Sequence, residues 1–199
     1  MYVNKVLATL LVLGFILTNC TSTETSASSE NTDTKEAVEV PSMEEVAARG
    51  AYLVEIMGCN DCHSPKVVTD QGPVPDPNRL LSGHPAEEKL ADLADPSVLN
   101  DYAIFNMGLT AAVGPWGTTF AANLTPDDTG IGTWTFEQFG KALREGKSKG
   151  LDGARALLPP MPSQNFRNLA DEDLRAIWAY LRSLPPVQNV VPNPIPPTS

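Results

Sequence analysis

Apolar and polar positions divide this chain into stretches of very different character. Residues 6–17 form a largely apolar run, and residues 21–41 are Ser, Thr, Glu and Asn with almost nothing apolar before Val38. Helical periodicity begins at Ser42. There Ser42-Met43-Glu44-Glu45 matches a capping box, and Val46, Gly50, Leu53, Val54 and Met57 fall on one face. A glycine inside a helix costs about 1 kcal/mol, a cost that makes sense if another helix crosses closely at Gly50. Residues 64–85 are rich in Pro, Gly and Asp and read as loop, and residues 86–95 predict a short helix stopped by Pro96. Residues 97–134 have no clear period, although 122–134 carry the Asx and Gly chemistry of an ordered loop. A second capping box, Thr135-Phe136-Glu137-Gln138, opens a helix with Phe136, Phe139, Gly140 and Leu143 on one side and Gly146 as its stop. The last helix starts near Asp171, carries the stripe Leu174, Ile177, Trp178 and Leu181, and ends at Pro185-Pro186. The tail after Val187 is Pro- and Asn-rich and reads as extended or disordered.

Composition sharpens this division. At 199 residues the length fits one domain with tails. A formal charge of −10 disfavours nucleic acid and acidic membrane surfaces as partners, and favours an electropositive patch on another protein. Lys5 before the 6–17 run, followed by Leu17-Thr18-Asn19-Cys20, has the layout of a secretory signal, too short for a transmembrane helix of about 20 residues. Its ending resembles a bacterial lipobox in which Cys20 is lipidated, with Asn19 standing where a smaller residue is usual. The expected organisation is a lipoprotein-type signal over 1–19, a flexible tether over 20–41, a folded domain over 42–187 and a Pro-rich tail over 188–199. That organisation puts the domain on the periplasmic side of a bacterial envelope, lipid-anchored to a membrane.

The folded part contains one run with distinct chemistry, Cys59-Asn60-Asp61-Cys62-His63. C-x-x-C-H is the attachment signature of a c-type haem. Two cysteines three positions apart on a helical turn present both sulfurs to one edge of a porphyrin, and the next histidine reaches the iron. A thioredoxin-like pair needs a βαβ context, which this stretch lacks. Zinc needs further ligands, and only Cys20 and His84 remain among cysteines and histidines. Lipid on Cys20 and haem on Cys59 and Cys62 leave no spare thiol.

With His63 on one side of the iron, the second axial ligand is expected from Met43, Met57, Met107, Met161 or His84. Met161 is the best choice, because Pro159, Pro160 and Pro162 restrict the backbone that presents its sulfur. Met57 precedes the motif on its own helix and Met43 stands at that helix's far end. Met107 reads as a core methionine, and His84 as a loop histidine. Candidate walls for the group are Trp116, Phe120, Trp134, Leu157 and Leu158, with Arg155 or an indole N–H for its propionates.

The helix ending in C-x-x-C-H, the late Pro159-Pro160-Met161-Pro162 loop and the terminal helix from Asp171 through Val187 together resemble the class I cytochrome c family. The stretch from Asn123 to Phe139 is similar to bacterial periplasmic members, including haem domains that accompany dehydrogenases. The resemblance covers about residues 44–187. It implies an all-α fold around one covalent haem c, with His63 and Met161 on the iron and the first and last helices crossing beside Gly50 and Tyr180. Two departures stand out: an inserted region over roughly 66–122, and Ser163 after Met161-Pro162 where an aromatic is common.

The resulting expectation is a periplasmic, membrane-tethered electron carrier that transforms no substrate and docks to redox partner proteins. Two alternatives remain. One is a haem subunit of a dehydrogenase complex. The other is a haem enzyme or gas sensor with an open sixth site served by His84.

Overall fold

A computed structural model describes residues 40–197. The expected signal, the expected lipidation position Cys20 and nearly all of the expected tether lie outside the described residues.

Three amphipathic helices frame the core. Helix α1 (Met43–Ile56) is closed by the expected box, with Glu45 N donating to Ser42 Oγ at 3.2 Å and Ser42 N donating to Glu45 Oε2 at 2.7 Å. The short helix α2 (Cys59–His63) follows after Met57 and a left-handed Gly58. Helix α3 (Phe136–Glu145) has the second box, Thr135 with Gln138, and ends on Gly146 at φ 65°. Helix α4 (Asp171–Ser183) lacks a side-chain cap, and its acidic first turn does more than complement the dipole. Asp173 pairs with Arg49 of α1 at 3.0 Å and Asp171 with Arg144 of α3 at 2.7 Å.

The core gathers Leu53, Val54, Leu81, Ile131, Phe139, Leu174, Ile177 and Leu181. Helix α1 packs more extensively against α4 than any other pair of elements does. Gly50 is the point of closest approach. A Cβ there would lie 2.5 Å from the Ala176 carbonyl carbon and 2.8 Å from Tyr180 Cβ. The helix backbone, rather than a yielding side chain, occupies that space.

The fold is not all-α. Strands β1 (Lys66–Thr69) and β2 (Gly72–Pro75) form an antiparallel hairpin, and β3 (Ile104–Phe105), β4 (Ala111–Gly114) and β5 (Gly117–Phe120) form a three-stranded antiparallel sheet. The strands are only two to four residues long, and Gly and Pro in β2, Gly and Ala in β4 and Gly in β5 interrupt the Val, Ile, Thr and Phe that favour strands, so no run is long enough to show a period. Turn chemistry closes them instead. Thr69 Oγ1 donates to Gly72 O at 2.7 Å, and Pro115-Trp116 joins β4 to β5.

Residues 86–95 do not form the expected helix. Asp95 instead caps a 3₁₀ turn at Pro96–Asn100, accepting from Ser97 N at 2.9 Å. Proline thus begins a helical turn here instead of ending one, because its missing N–H is unneeded at the first position. The tail is extended and bound to the domain through residue 195, where Ile195 bridges Thr118 of β5 in both directions at 2.8 and 2.9 Å.

Replacing Gly50 with alanine should force α1 and α4 apart at a cost of about 1–3 kcal/mol, lowering the thermal midpoint by several degrees. An unchanged melting curve would contradict the close crossing.

Candidate functional site

Gly58 turns the chain out of α1 in a left-handed conformation that a side chain would strain. The next residues wind into α2, which sets Cys59 and Cys62 on one side of a single turn. Both thiols are free and half-buried. Burial pushes the Cys59 thiol up to about 11. Cys62 is raised as well, by burial first and the Asp61 charge second. Lys66 folds back over the turn, its Nζ donating to the carbonyls of Asn60 at 3.1 Å, Asp61 at 3.0 Å and Ser64 at 2.5 Å. A cation over these carbonyls satisfies a helix end that would otherwise be open.

His63 is oriented by the backbone. Its Nδ1 lies 2.7 Å from Ala122 O, in the segment following β5. A carbonyl can only accept, so Nδ1 carries the proton and Nε2 keeps its lone pair for a metal. Burial holds the imidazole below the ordinary histidine range, against the opposing pull of the Ala122 carbonyl. The peptide of His63 is fixed too: Gly83 N donates to His63 O at 2.7 Å. Beside it the buried Ser64 hydroxyl donates to Asn60 Oδ1 at 2.7 Å and accepts from Leu81 N at 2.8 Å.

Met161 lies in a separate loop, half-buried, with Met161 N donating to Leu158 O at 3.2 Å and Ser163 N to Met161 O at 2.9 Å. Two bonds anchor that loop. Thr119 Oγ1 donates to Pro159 O at 2.8 Å, and Leu157 N to Gly146 O at 2.7 Å. Residues 119–122 therefore hold both the methionine loop, through Thr119, and the histidine ring, through Ala122. The structure brings Cys59, Cys62 and His63 together in one turn and ties the loop that carries Met161, through Pro159, to the same strand end.

The other candidates are disposed differently. Met107, expected in the core, is 90% exposed at the tip of a turn built by Asn106, whose side-chain oxygen accepts from Ala111 N at 2.9 Å. Polar bonding within that short turn leaves no apolar contact for the methionine. Met43 is also exposed, and Met57 packs against the core. His84 is fully buried, with Nδ1 2.9 Å from Thr110 Oγ1 and Nε2 3.3 Å from Glu88 O, against the Phe120 ring. Both of its ring nitrogens are engaged. Arg155 is exposed and bonds Ala156 O, whereas Trp116 holds its indole Nε1 buried without a partner. The half-buried Leu157 and Leu158 flank the methionine loop, and Trp134 packs against the core.

The donor set fits a covalently attached haem. Among the described residues no three His, Cys, Asp or Glu side chains cluster as the ligands of a bare metal ion. The described sheets are small and antiparallel, which removes the βαβ setting of a thioredoxin-like pair. The site residues that sequence reasoning missed, Ala122, Gly83, Ser64 and Lys66, act mostly through backbone atoms or onto them. Ala122 acts through a carbonyl that any residue would offer, and the side chains of Ser64 and Lys66 and the bare Cα of Gly83 take their roles from partners that only the fold brings near.

No protein-family model matches the chain. It is 47% identical over 88 residues to a nicotinate dehydrogenase component of Pseudomonas putida, covering 44% of this chain and 7% of that protein. It is 45% identical over 83 residues to the cytochrome c subunit of the quinone alcohol dehydrogenase of Gluconobacter oxydans, covering 40% and 17%. Against the gluconate 2-dehydrogenase cytochrome c subunit of Pantoea cypripedii it is 32% identical over 133 residues, covering 66% and 22%. The chain thus spans less than a quarter of the length of each of these relatives. Its homologues include cytochrome c subunits of dehydrogenases, and they support a c-type cytochrome.

Proposed function

We propose that this chain is the electron-transfer subunit of a dehydrogenase, carrying one covalent haem c and passing electrons without transforming a substrate. The single observation that carries the reading is the α2 turn: two thiols on one side, and His63 held by Ala122 with Nε2 free. Cys59 and Cys62 would hold the group as thioethers, with His63 and Met161 as iron ligands. When bound, the haem supplies one-electron Fe(III)/Fe(II) chemistry. The chain's own residues orient and shield it. Ala122 fixes the tautomer of His63, Lys66 closes the α2 carbonyls, and Thr119 fixes the loop that offers the Met161 thioether, a ligand that raises the potential relative to imidazole.

The partner of the relatives is in their names: they are dehydrogenase subunits. That favours a resident subunit over the free shuttle expected from sequence alone. A net charge of −10 favours a positively charged docking face on the partner. The leader and Cys20 support a lipid anchor on the periplasmic side of a membrane. An open-site enzyme or gas sensor has less support, because His84 spends both ring nitrogens on Thr110 and Glu88.

Met161→Ala should convert a low-spin haem into a high-spin one that binds carbon monoxide, while Met107→Ala leaves the spectrum alone. A low-spin Met161→Ala protein would remove the methionine assignment. In haem-free protein, alkylation of Cys59 should be slow near pH 8 and climb toward its raised value of about 11, since the thiolate is the nucleophile. Haem-loaded protein should take no label. Full-rate labelling of Cys59 at pH 8 would contradict its desolvation. Purified from its own cell at physiological salt, the chain should bring a dehydrogenase with it, and recovery alone would favour the shuttle.

A further inference from the structure

Residues 81–86, buried up to Pro85, bind several parts of the site at once. Gly83 N donates to His63 O at 2.7 Å, His84 N to Ala121 O at 2.9 Å, and Leu124 N to Leu81 O at 2.8 Å. The iron ligand candidate and the peptide that its ring grips are therefore both tied to this loop. At Gly83 the contact is direct. Its φ is 80°, and a Cβ there would lie 2.5 Å from Ala121 O, 2.6 Å from Ala122 C and 2.7 Å from Asn123 N. Only a glycine can press so closely on the Ala122 peptide.

A residue of the tail holds the loop in place. Asn189, 4% exposed, sends both of its amide hydrogens to the carbonyls on either side of Gly83: Nδ2 donates to Ser82 O at 2.6 Å and to His84 O at 2.9 Å. Its Oδ1 accepts from Ala86 N at 3.0 Å. The backbone of Asn189 is pinned as well, its N donating to Thr129 Oγ1 at 2.9 Å. Asn123 Nδ2 also donates to Val187 O at 2.8 Å, so the residue after Ala122 is tied to the tail as well.

We propose that Asn189 is a positioning residue for the iron ligand, a role that rests on the haem reading above. By clamping Ser82 and His84 it presses Gly83 against the Ala122 peptide and so sets the hydrogen bond from His63 Nδ1. That bond raises the basicity of the imidazole, which favours ferric iron. Loosening the clamp weakens the bond and raises the reduction potential. A tenfold change in the ferrous-to-ferric balance is about 59 mV for one electron.

The test uses the full chain made in a host competent in cytochrome maturation, comparing Asn189→Ala, Asn189→Ser and the neighbouring exposed control Val190→Ala. Covalent haem in the wild type is measured first, by intact mass. If it is absent, the haem reading itself fails, independently of the clamp. With haem present, Asn189→Ala should raise the midpoint potential by about 59 mV or more, with Asn189→Ser between it and the wild type and Val190→Ala unchanged. A merely structural role would lower the melting temperature of Asn189→Ala and leave the potential of the folded protein where it was, which would overturn the assignment. If the alanine variant does not accumulate, the serine variant decides by the same criterion: an upward shift supports the role and an unchanged potential overturns it.

Discussion

The hydrogen bond from His63 Nδ1 to Ala122 O, 2.7 Å long, is the interaction on which the site depends. It joins the helical turn that carries the thiols to a strand end 59 residues further along the chain. Because a carbonyl accepts and cannot donate, the bond selects one tautomer and leaves one nitrogen for a metal. Everything around it resists movement. Gly83 fills the space behind the Ala122 peptide, Leu81 sits buried at a φ of 58°, and the same strand end reaches the Met161 loop through Thr119. A non-glycine residue in that backbone region persists only where its surroundings impose it.

Helix packing supplies the frame on which that bond is built. The α1–α4 crossing at Gly50 fixes the direction of α1, and α1 delivers the chain into α2 through Met57 and Gly58. The partly exposed Arg49–Asp173 pair adds little, since such pairs contribute about 0–1 kcal/mol. Burial of Leu53, Val54, Ile177 and Leu181 contributes far more, at about 1.5–3 kcal/mol for each fully buried side chain. The site is thus anchored to the α1–α4 packing, and the Met161 loop and the residues around Ala122 are held by directed hydrogen bonds.

What could be read in the sequence followed from local signals. Both capping boxes, the apolar stripe of α4 and the C-x-x-C-H spacing depend on residues within one or two turns of each other, and the structure has all of them. The strands could not be read the same way. Ala111–Gly114 and Gly117–Phe120 are four residues each, too short to show a period, and their pairing rests on a two-residue connection and on the tail that docks along β5. Met107 misled because an apolar side chain in an aperiodic stretch suggests burial, whereas Asn106 spends its polar atoms on turning the chain outward. Asn189 was invisible for another reason. Its partners Ser82 and His84 lie 107 and 105 positions away, and they are backbone carbonyls that any residue would offer.

Intact mass of the mature protein, taken with its reduced absorption spectrum, tests the central claim most directly. One porphyrin's added mass per chain, both α2 thiols consumed and a low-spin reduced spectrum are the predicted result. Colourless protein with Cys59 and Cys62 still free, from a host fully able to attach haem, would contradict it.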